Sequence, residues 1–448
     1  MSKNGDLLAQ FKSCLQKGIP HLQNLLKELQ PVDIADLLTT LEPDERALVF
    51  DQLDLEKAAL VLNELSREAL ASVINALGPE RMADILEAMS SDDAADILGE
   101  LSTNVKDRLL SLMESEEARD VRGLLGYPPD TAGGLMTTEY VAIKEDITAG
   151  EAIEILRATA PDAETVYYIY VVNSQNQLVG VVSLRELIIA PTSKLISEIM
   201  HRKVISVTVD MDQEEVARIV SRYDFLAVPV VDHERKLLGI VTVDDVIDVI
   251  QEEATEDIYL LAGTSDIEEE RGHLWNALRS RLPWLIVTML EGMVAGVVLR
   301  GIEQALQAMV ALAFFIPLLT GMGGNVGTQS ATLTVRGLAT GQINSHRTLI
   351  TVFKEVSVGA SIGLFFGVLV GLIASFWQQK PVLGLIVGLA MLGNMTTAAT
   401  MGTLVPMFFK RVGIDPAVAS APFISASIDI TGLLIYASLA TLLIRYLV

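Results

Sequence analysis

Cysteine is almost missing from this chain: Cys14 is the only one in 448 residues. That excludes a disulfide framework and a thiolate metal site. Histidine is scarce as well, and the five present stand singly without paired spacing, which argues against a zinc centre. No lysine occurs between Lys236 and Lys354, so the glycine-rich stretch PLLTGMGGNVGTQS at residues 317–330 is no P-loop. It fails the dinucleotide fingerprint too, because Val326 stands where the third glycine is needed. The opening residues, MSKNGDLLAQFKSC, lack the apolar core of a signal peptide. Acidic residues are rare in residues 271–448, with 5 acids against 11 bases.

The remaining 52 acids lie in residues 1–270 with 22 bases, so that part carries −30 and the rest +6. Such a charge repels nucleic acid and attracts cations. The acidic part is expected to be water-soluble and cytoplasmic.

Five apolar stretches in the second part are each long enough to cross a hydrocarbon core: Pro283–Leu299, Ala305–Leu333, Val356–Trp377, Pro381–Phe409 and Ala417–Leu443. A lipid bilayer is therefore an expected partner and a multi-pass cell membrane protein the expected class. With the N-terminus inside, Arg279, Arg281, Arg336, Arg347, Lys354, Lys410 and Arg411 fall on the cytoplasmic side, and Arg300, Lys380 and Arg445 outside. An odd number of spans puts the C-terminus outside. Glycines at 359, 363, 367 and 371 recur every four residues, a face for close helix packing.

The first 130 residues repeat every twelve. Leu41, Leu53, Leu65, Leu77, Met89, Leu101 and Met113 mark the period, with apolar residues three and four positions before each. Those offsets define one face of a helix. Capping types follow many of the marks (Asp54, Ser66, Gly78, Ser90, Ser102), so the unit reads as a two-turn helix and a corner, stacked into a solenoid.

Residues 136–250 are duplicated. Met136 matches Met200 and Ile147 matches Met211, 64 apart; Val172 matches Val231 and Gly180 matches Gly239, 59 apart. The first copy has five extra residues around Ala160–Glu164. Each copy reads strand, helix, strand, turn, strand, helix. This resembles the CBS-domain pair, a module that senses nucleotides or ions. Its G-h-x-S/T-x-x-D/N signature stands complete as Gly239, Thr242 and Asp245, and with Glu186 in the last place as Gly180, Ser183 and Glu186. The resemblance implies ATP as a candidate ligand at Arg185, Glu186, Ser206 and Phe225.

Seven carboxylates follow within fourteen residues, Asp244 to Asp257. Asp245, Asp248, Glu252 and Glu256 share one helical face, where like charges repel unless a hard divalent cation neutralises them. Asp429 lies well inside the fifth span, where an ionised carboxylate costs about 2.5–3.5 kcal/mol. No base is central in any span, so a cation path is the expected reason for it. Asp415, before Pro416, reads as a helix cap. Glu291 is the other acid assigned to the membrane. The glycines 321, 323, 324 and 327 are expected to break the second span and expose carbonyls, which with Asn325 and Asp429 would suit Mg²⁺.

Taken together, PLLTGMGGNVGTQSAT, DQEEVAR, YDF, VTVDDVIDVIQEEATEDI and SIDITGLLIY resemble the MgtE family of magnesium channels and transporters over the whole chain. The resemblance implies a homodimer with Asp429, Asn325 and Gly324 at a pore on the two-fold axis. It also implies a cytosolic Mg²⁺ sensor that closes the pore, made of Asp92, Asp93, Asp212, Glu214, Asp224, Asp245, Asp248, Glu253, Glu256 and Asp257. The expected fold is a multidomain one. An all-α solenoid covers 1–130, an α/β CBS pair 131–250, an acidic linker helix 251–281 and a five-helix transmembrane domain 282–448. Two rivals are a CBS-regulated transporter of another ion or osmolyte, which the central carboxylate disfavours, and a membrane-anchored enzyme. The second lacks any nucleophile–histidine–acid set, so no enzymatic activity is expected.

Overall fold

The computed structural model describes residues 3–65, 67–160, 163–264, 274–343, 348–419 and 421–443. Ser66, Arg347, Arg445 and linker residues 265–273 lie outside them. The chain divides into two units, Met1–Gln251 and Glu252–Val448.

The first unit begins with α1 (Lys3–Lys17) and α2 (Ile19–Glu28). Then come α3 (Pro31–Thr39), α4 (Pro43–Phe50), α5 (Leu55–Asn63), α6 (Arg67–Ala76), α7 (Pro79–Glu87), α8 (Ser91–Gly99) and α9 (Thr103–Leu112), whose first residues are twelve apart. Helix α10 (Glu117–Leu124) closes the series. The corners follow from local chemistry. Proline opens α3, α4 and α7, where its missing N–H costs no hydrogen bond. Asp54 caps α5 by accepting the Lys57 N–H at 2.9 Å. The periodic apolar residues form one core, among them Leu37, Leu38 and Leu41, then Val49, Phe50 and Leu53, then Val61, Leu62 and Leu65. Each fully buried side chain contributes about 1.5–3 kcal/mol. A two-turn helix cannot shield its apolar face alone, so stacking is what stabilises the unit.

The duplicated region contains α11 (Ala132–Leu135), β1 (Tyr140–Lys144), α12 (Ala149–Thr159), β2 (Thr165–Val172), β3 (Leu178–Ser183) and α13 (Leu184–Ile189). The second copy has α14 (Ile196–Ile199), β4 (Val207–Thr208), α15 (Gln213–Tyr223), β5 (Ala227–Val231), β6 (Leu237–Thr242) and α16 (Val243–Ala262). Each copy forms a three-stranded sheet, one parallel and one antiparallel pairing, in the orders β1-β2-β3 and β4-β5-β6. The duplication holds down to irregularities. The register shifts at Val171/Val172 and again at Val230/Val231, and both turns place a residue at φ 64°, Asn176 and Arg235. The copies also exchange ends. Thr137 pairs with Ile240 and His201 with Val181, while Met136 lies on Gly239 and Met200 on Gly180. A side chain at either glycine would collide with that methionine, which is why both positions are glycine.

The second unit contains α17 (Leu274–Gly301), α18 (Glu303–Ala308), α19 (Ala311–Phe314), α20 (Ile316–Ala339), α21 (Thr348–Gln378), α22 (Pro381–Arg411) and α23 (Ala421–Leu443). Among the described residues, five helical segments are long and apolar enough to cross a membrane. The glycines spaced by four do what their spacing predicts: Gly359, Gly363, Gly367 and Gly371 bring α21 against α22 at Ala399, Leu392, Gly388 and Gly384.

Two expectations are corrected. The stretch 317–330 is no loop; it lies within the continuous helix α20. Its glycines do not break the helix because neighbouring helices occupy the space their missing side chains leave. Gly323 lies against Asn394, Gly324 against Ser425, and Gly327 against Ile424 and Ile428. The helix propensity lost, about 1 kcal/mol per glycine, is offset by that close approach. The span breaks upstream instead, at extended Met309 and ahead of Pro317, where the buried Tyr436 hydroxyl donates to the Leu312 carbonyl at 2.8 Å. The second correction concerns the linker helix, which starts at Val243 and ends at Ala262; Gly263 follows with φ +76°.

Candidate cation sites

In the first unit the fold gathers carboxylates from four separate stretches. Helix α8 offers Asp92 and Asp93, the segment leading into β1 offers Glu139, the segment before β2 offers Glu164, and the start of α16 offers Asp244 and Asp245. Backbone and hydroxyl contacts fix the seam: Glu139 accepts the Ser91 N–H at 3.0 Å, and the Ser91 and Thr138 hydroxyls lie 3.0 Å apart. Asp92 is 7% exposed, and its Oδ1 is buried without a hydrogen-bond partner among the described residues.

Burial and mutual repulsion raise these acids together. Asp92 stands at about 6 from burial and the adjacent Asp93. Asp93 is raised mainly by burial, with Asp244 adding to it. Glu139 is lifted to about 7 by burial and then by Asp92, Asp93 and Asp120. Glu164, at the exposed rim, is raised to about 7 by partial burial and by Asp92, Glu139, Asp93 and Asp244. Asp245 reaches about 8 through burial, with Asp92, Asp244 and Asp93 adding to it. Among the described residues no three of these side chains converge as a ready-made metal shell. Mg²⁺ in such a setting retains waters between itself and most carboxylates. An orphaned buried oxygen beside hard oxygen donors fits that ion.

A stability consequence follows. An acid whose folded pKa is raised holds its proton more tightly when folded, so stability falls as pH climbs from the unfolded value near 4 through the folded ones. In chelator, the melting temperature of residues 1–270 is expected to decline between pH 5 and pH 8, the window set by values of about 6, 7 and 8. Mg²⁺ added at constant ionic strength is expected to raise it more at pH 8 than at pH 5. A shift equal to that from matched NaCl would reduce the effect to screening.

The other acids named from the sequence have different surroundings. Asp212 is the N-cap of α15 and accepts the Glu214 N–H at 3.0 Å; Asp224 ends the same helix at φ 53°. Glu214 and Asp248 are exposed. Glu253, Glu256 and Asp257 lie along the second half of α16. The CBS signature proves to be a helix cap in both copies. Asp245 accepts from the Thr242 N–H and hydroxyl, and Glu186 from the Ser183 N–H and hydroxyl. Glutamate thus does in the first copy what aspartate does in the second. Glu186 also meets His201 Nε2 at 2.7 Å. Partial burial acts against its charge, but the bonds from His201 and Ser183 win and hold it at about 2. Of the other nucleotide candidates, Arg185 is exposed, Ser206 is half-buried and Phe225 stacks on Tyr223 with centroids 5.5 Å apart.

In the second unit Asp429 sits on α23, half-buried, with Oδ1 buried and unpartnered among the described residues. Ser425, one turn earlier on α23, lies against Gly324 of α20, while Asn325 is exposed. Asp415 caps the short 3-10 helix Pro416–Val418 by accepting the Ala417 N–H at 2.7 Å. Four residues lay outside the sites drawn from the sequence. Glu139 has Lys203 at the matching place of the second copy, so the duplication gave no signal. Glu164 is the last of the five inserted residues, which was the available hint. Glu355, one residue before the third apolar stretch, accepts from the buried Ser330 hydroxyl at 3.0 Å. Asn394 opens a polar run, Asn394–Thr400, that the sequence left without a role.

A helical repeat, a CBS pair and a bundle of apolar helices enclosing a carboxylate define a multi-pass membrane transport protein. Comparison with known proteins agrees segment by segment. Residues 316–439 match the family model described as "Divalent cation transporter", 29–130 the "MgtE intracellular N domain", and 132–192 and 196–252 the "CBS domain". The chain belongs to the MgtE family of magnesium transporters. It is 46% identical to the magnesium transporter MgtE of Thermus thermophilus over 345 residues, 75% of each chain. With the magnesium transporter MgtE of Enterococcus faecalis it shares 44% over 334 residues, 75% of this chain and 74% of that one. A crystal structure of the cytosolic domain of the Mg²⁺ channel MgtE in complex with ATP matches 54% of this chain and 99% of its own, at 44% identity and a TM-score of 0.53.

Proposed function

We propose that the chain carries Mg²⁺ across the cell membrane through a pore in which Asp429 holds the ion, with Asn325 and the backbone at Gly324 beside it, and that Mg²⁺ bound to the acidic first unit closes the pore. The observation that carries the reading is Asp429 itself: a half-buried carboxylate inside an apolar span whose Oδ1 has no hydrogen-bond partner among the described residues. Leaving such an oxygen unmatched in hydrocarbon is costly unless it serves an ion.

Regulation follows from charge. Without cations, Asp92, Asp93, Glu139, Asp244 and Asp245 repel one another; Mg²⁺ would neutralise them and favour the packed arrangement. Helix α16 transmits this, since it starts among those acids, carries Asp248, Glu253, Glu256 and Asp257, and ends at Gly263. That glycine lies against Pro422 at the start of α23 and Trp284 of α17, a support for coupling to the helix bearing Asp429. Asp212, Glu214 and Asp224 complete the sensor we propose, with the first and last also shaping α15.

A homodimer is supported by α17, none of whose residues is buried within one chain. The N-terminus inside and C-terminus outside follow from the basic residues. The domain bounds 1–130, 131–250, 251–281 and 282–448 complete the proposal, with the connecting helix starting at Val243. ATP at Arg185, Glu186, Ser206 and Phe225 is supported by the relative solved with that nucleotide. Reconstitution into proteoliposomes tests the central reading. Mg²⁺ entry is expected, and Mg²⁺ raised on the side of the first unit is expected to stop it. Anion or osmolyte flux without Mg²⁺ flux would overturn it.

A further inference from the structure

We infer that Asn394 is a positioning residue for this pore, fixing the separation of α20 and α23; the inference rests on the reading of Asp429 as the ion's ligand. Asn394 lies on α22, 1% exposed, in the midst of apolar helices. Its Nδ2 donates to the Leu319 carbonyl of α20 at 2.7 Å. Its Oδ1 is buried with no hydrogen-bond partner among the described residues. Packing does not explain this amide, since an apolar side chain of like volume would avoid burying an unmatched oxygen.

The surroundings supply the explanation. Two glycines from two different helices close on the amide group. A side chain on Gly323 of α20 would run into Nδ2, and one on Gly432 of α23 into Oδ1. Gly323 immediately precedes Gly324 and Asn325. Gly432 lies three residues after Asp429, a spacing that puts the two on neighbouring positions of one helical face. One side chain therefore touches both helices that carry the proposed ion ligands. Ser425 against Gly324 and Ile428 against Gly327 continue the same seam, so a shift at Asn394 would carry Asp429 with it. Ligand groups displaced by a fraction of an ångström lose discrimination between ions of different size and hydration.

The test is Asn394→Leu and Gly432→Ala in the full chain, reconstituted and normalised to protein in the membrane. Both are expected to raise the half-saturating Mg²⁺ concentration about tenfold, and to lower the ratio of Mg²⁺ to Ca²⁺ flux. Asn394→Ser keeps a donor for Leu319 and is expected to lie nearer wild type than Asn394→Leu. A residue that only holds the fold together would reduce the amount of protein and the maximal flux, leaving half-saturation and the ion ratio alone. That result in either accumulating variant overturns the inference. Should Asn394→Leu fail to reach the membrane, Gly432→Ala and Asn394→Ser decide, and wild-type values in both overturn it. Asp429→Ala separates the two readings: flux retained there sinks the pore assignment, whereas Asp429→Ala inactive with Asn394 variants unaltered sinks this inference alone.

Discussion

Asp429→Ala is expected to bring Mg²⁺ flux down by at least about a hundredfold, the factor that a loss of about 3 kcal/mol makes. The carboxylate stands in an apolar span, and among the described residues no hydrogen bond compensates the burial of its Oδ1. Alanine removes that burden, and the variant is expected to insert at least as well as wild type. This combination of undiminished insertion and lost transport distinguishes an ion ligand from a structural residue, whose loss would lower both together. Asp429→Asn keeps the shape and one oxygen, and is expected to fall between the two. Dye-reported Mg²⁺ entry into proteoliposomes, with protein quantified in the same vesicles, makes the measurement. Flux near wild type in the alanine variant would leave Asp429 without a role in conduction.

Asp92→Asn combined with Asp93→Asn is expected to leave the transporter open at Mg²⁺ levels that close the wild type, raising the inhibitory midpoint about tenfold or more. Both carboxylates are held in a buried seam among Glu139, Glu164, Asp244 and Asp245, and each is raised chiefly by burial. Under the gating we propose, a cation that binds there must offset this repulsion, and its differential affinity for the packed arrangement would drive closure. Removing two charges weakens the cation more than it relieves the protein, because the four remaining acids still repel. Replacing Glu253, Glu256 and Asp257 with glutamine or asparagine is expected to act in the same direction. Patch recordings with Mg²⁺ stepped on the side of the first unit would show the shift. A midpoint unchanged in both sets would place the sensor elsewhere.

The sequence alone was most informative where the physics is local or periodic. A twelve-residue apolar period fixes helix starts from Pro31 to Thr103, because offsets of three and four commit one face to burial whatever lies beyond. The CBS pair was readable because duplication repeats turn residues and bulges at constant spacing, as at Asn176 and Arg235. The five spans follow from length and hydropathy. Asp429 stood out because a charge in such a span is costly wherever it points.

Tertiary structure decided what depends on neighbours distant in sequence. Glycines at 323, 324 and 327 look like breakers when read along the chain, yet α23 and α22 press on them and that stretch is one continuous helix. Met309 and Pro317 break the span instead, where Tyr436 is at hand to satisfy a carbonyl. Glu139 and Glu164 are ordinary acids in the sequence; only folding against α8 and α16 makes them part of a repelling group. Asp245 and Glu186 read as ligands, and folding shows each also closing a helix cap. Asn394 is one polar residue among several until two glycines from different helices close on it. Periodicity and composition report the burial of a face, which a sequence carries; the identity of what covers that face is a property of the folded chain.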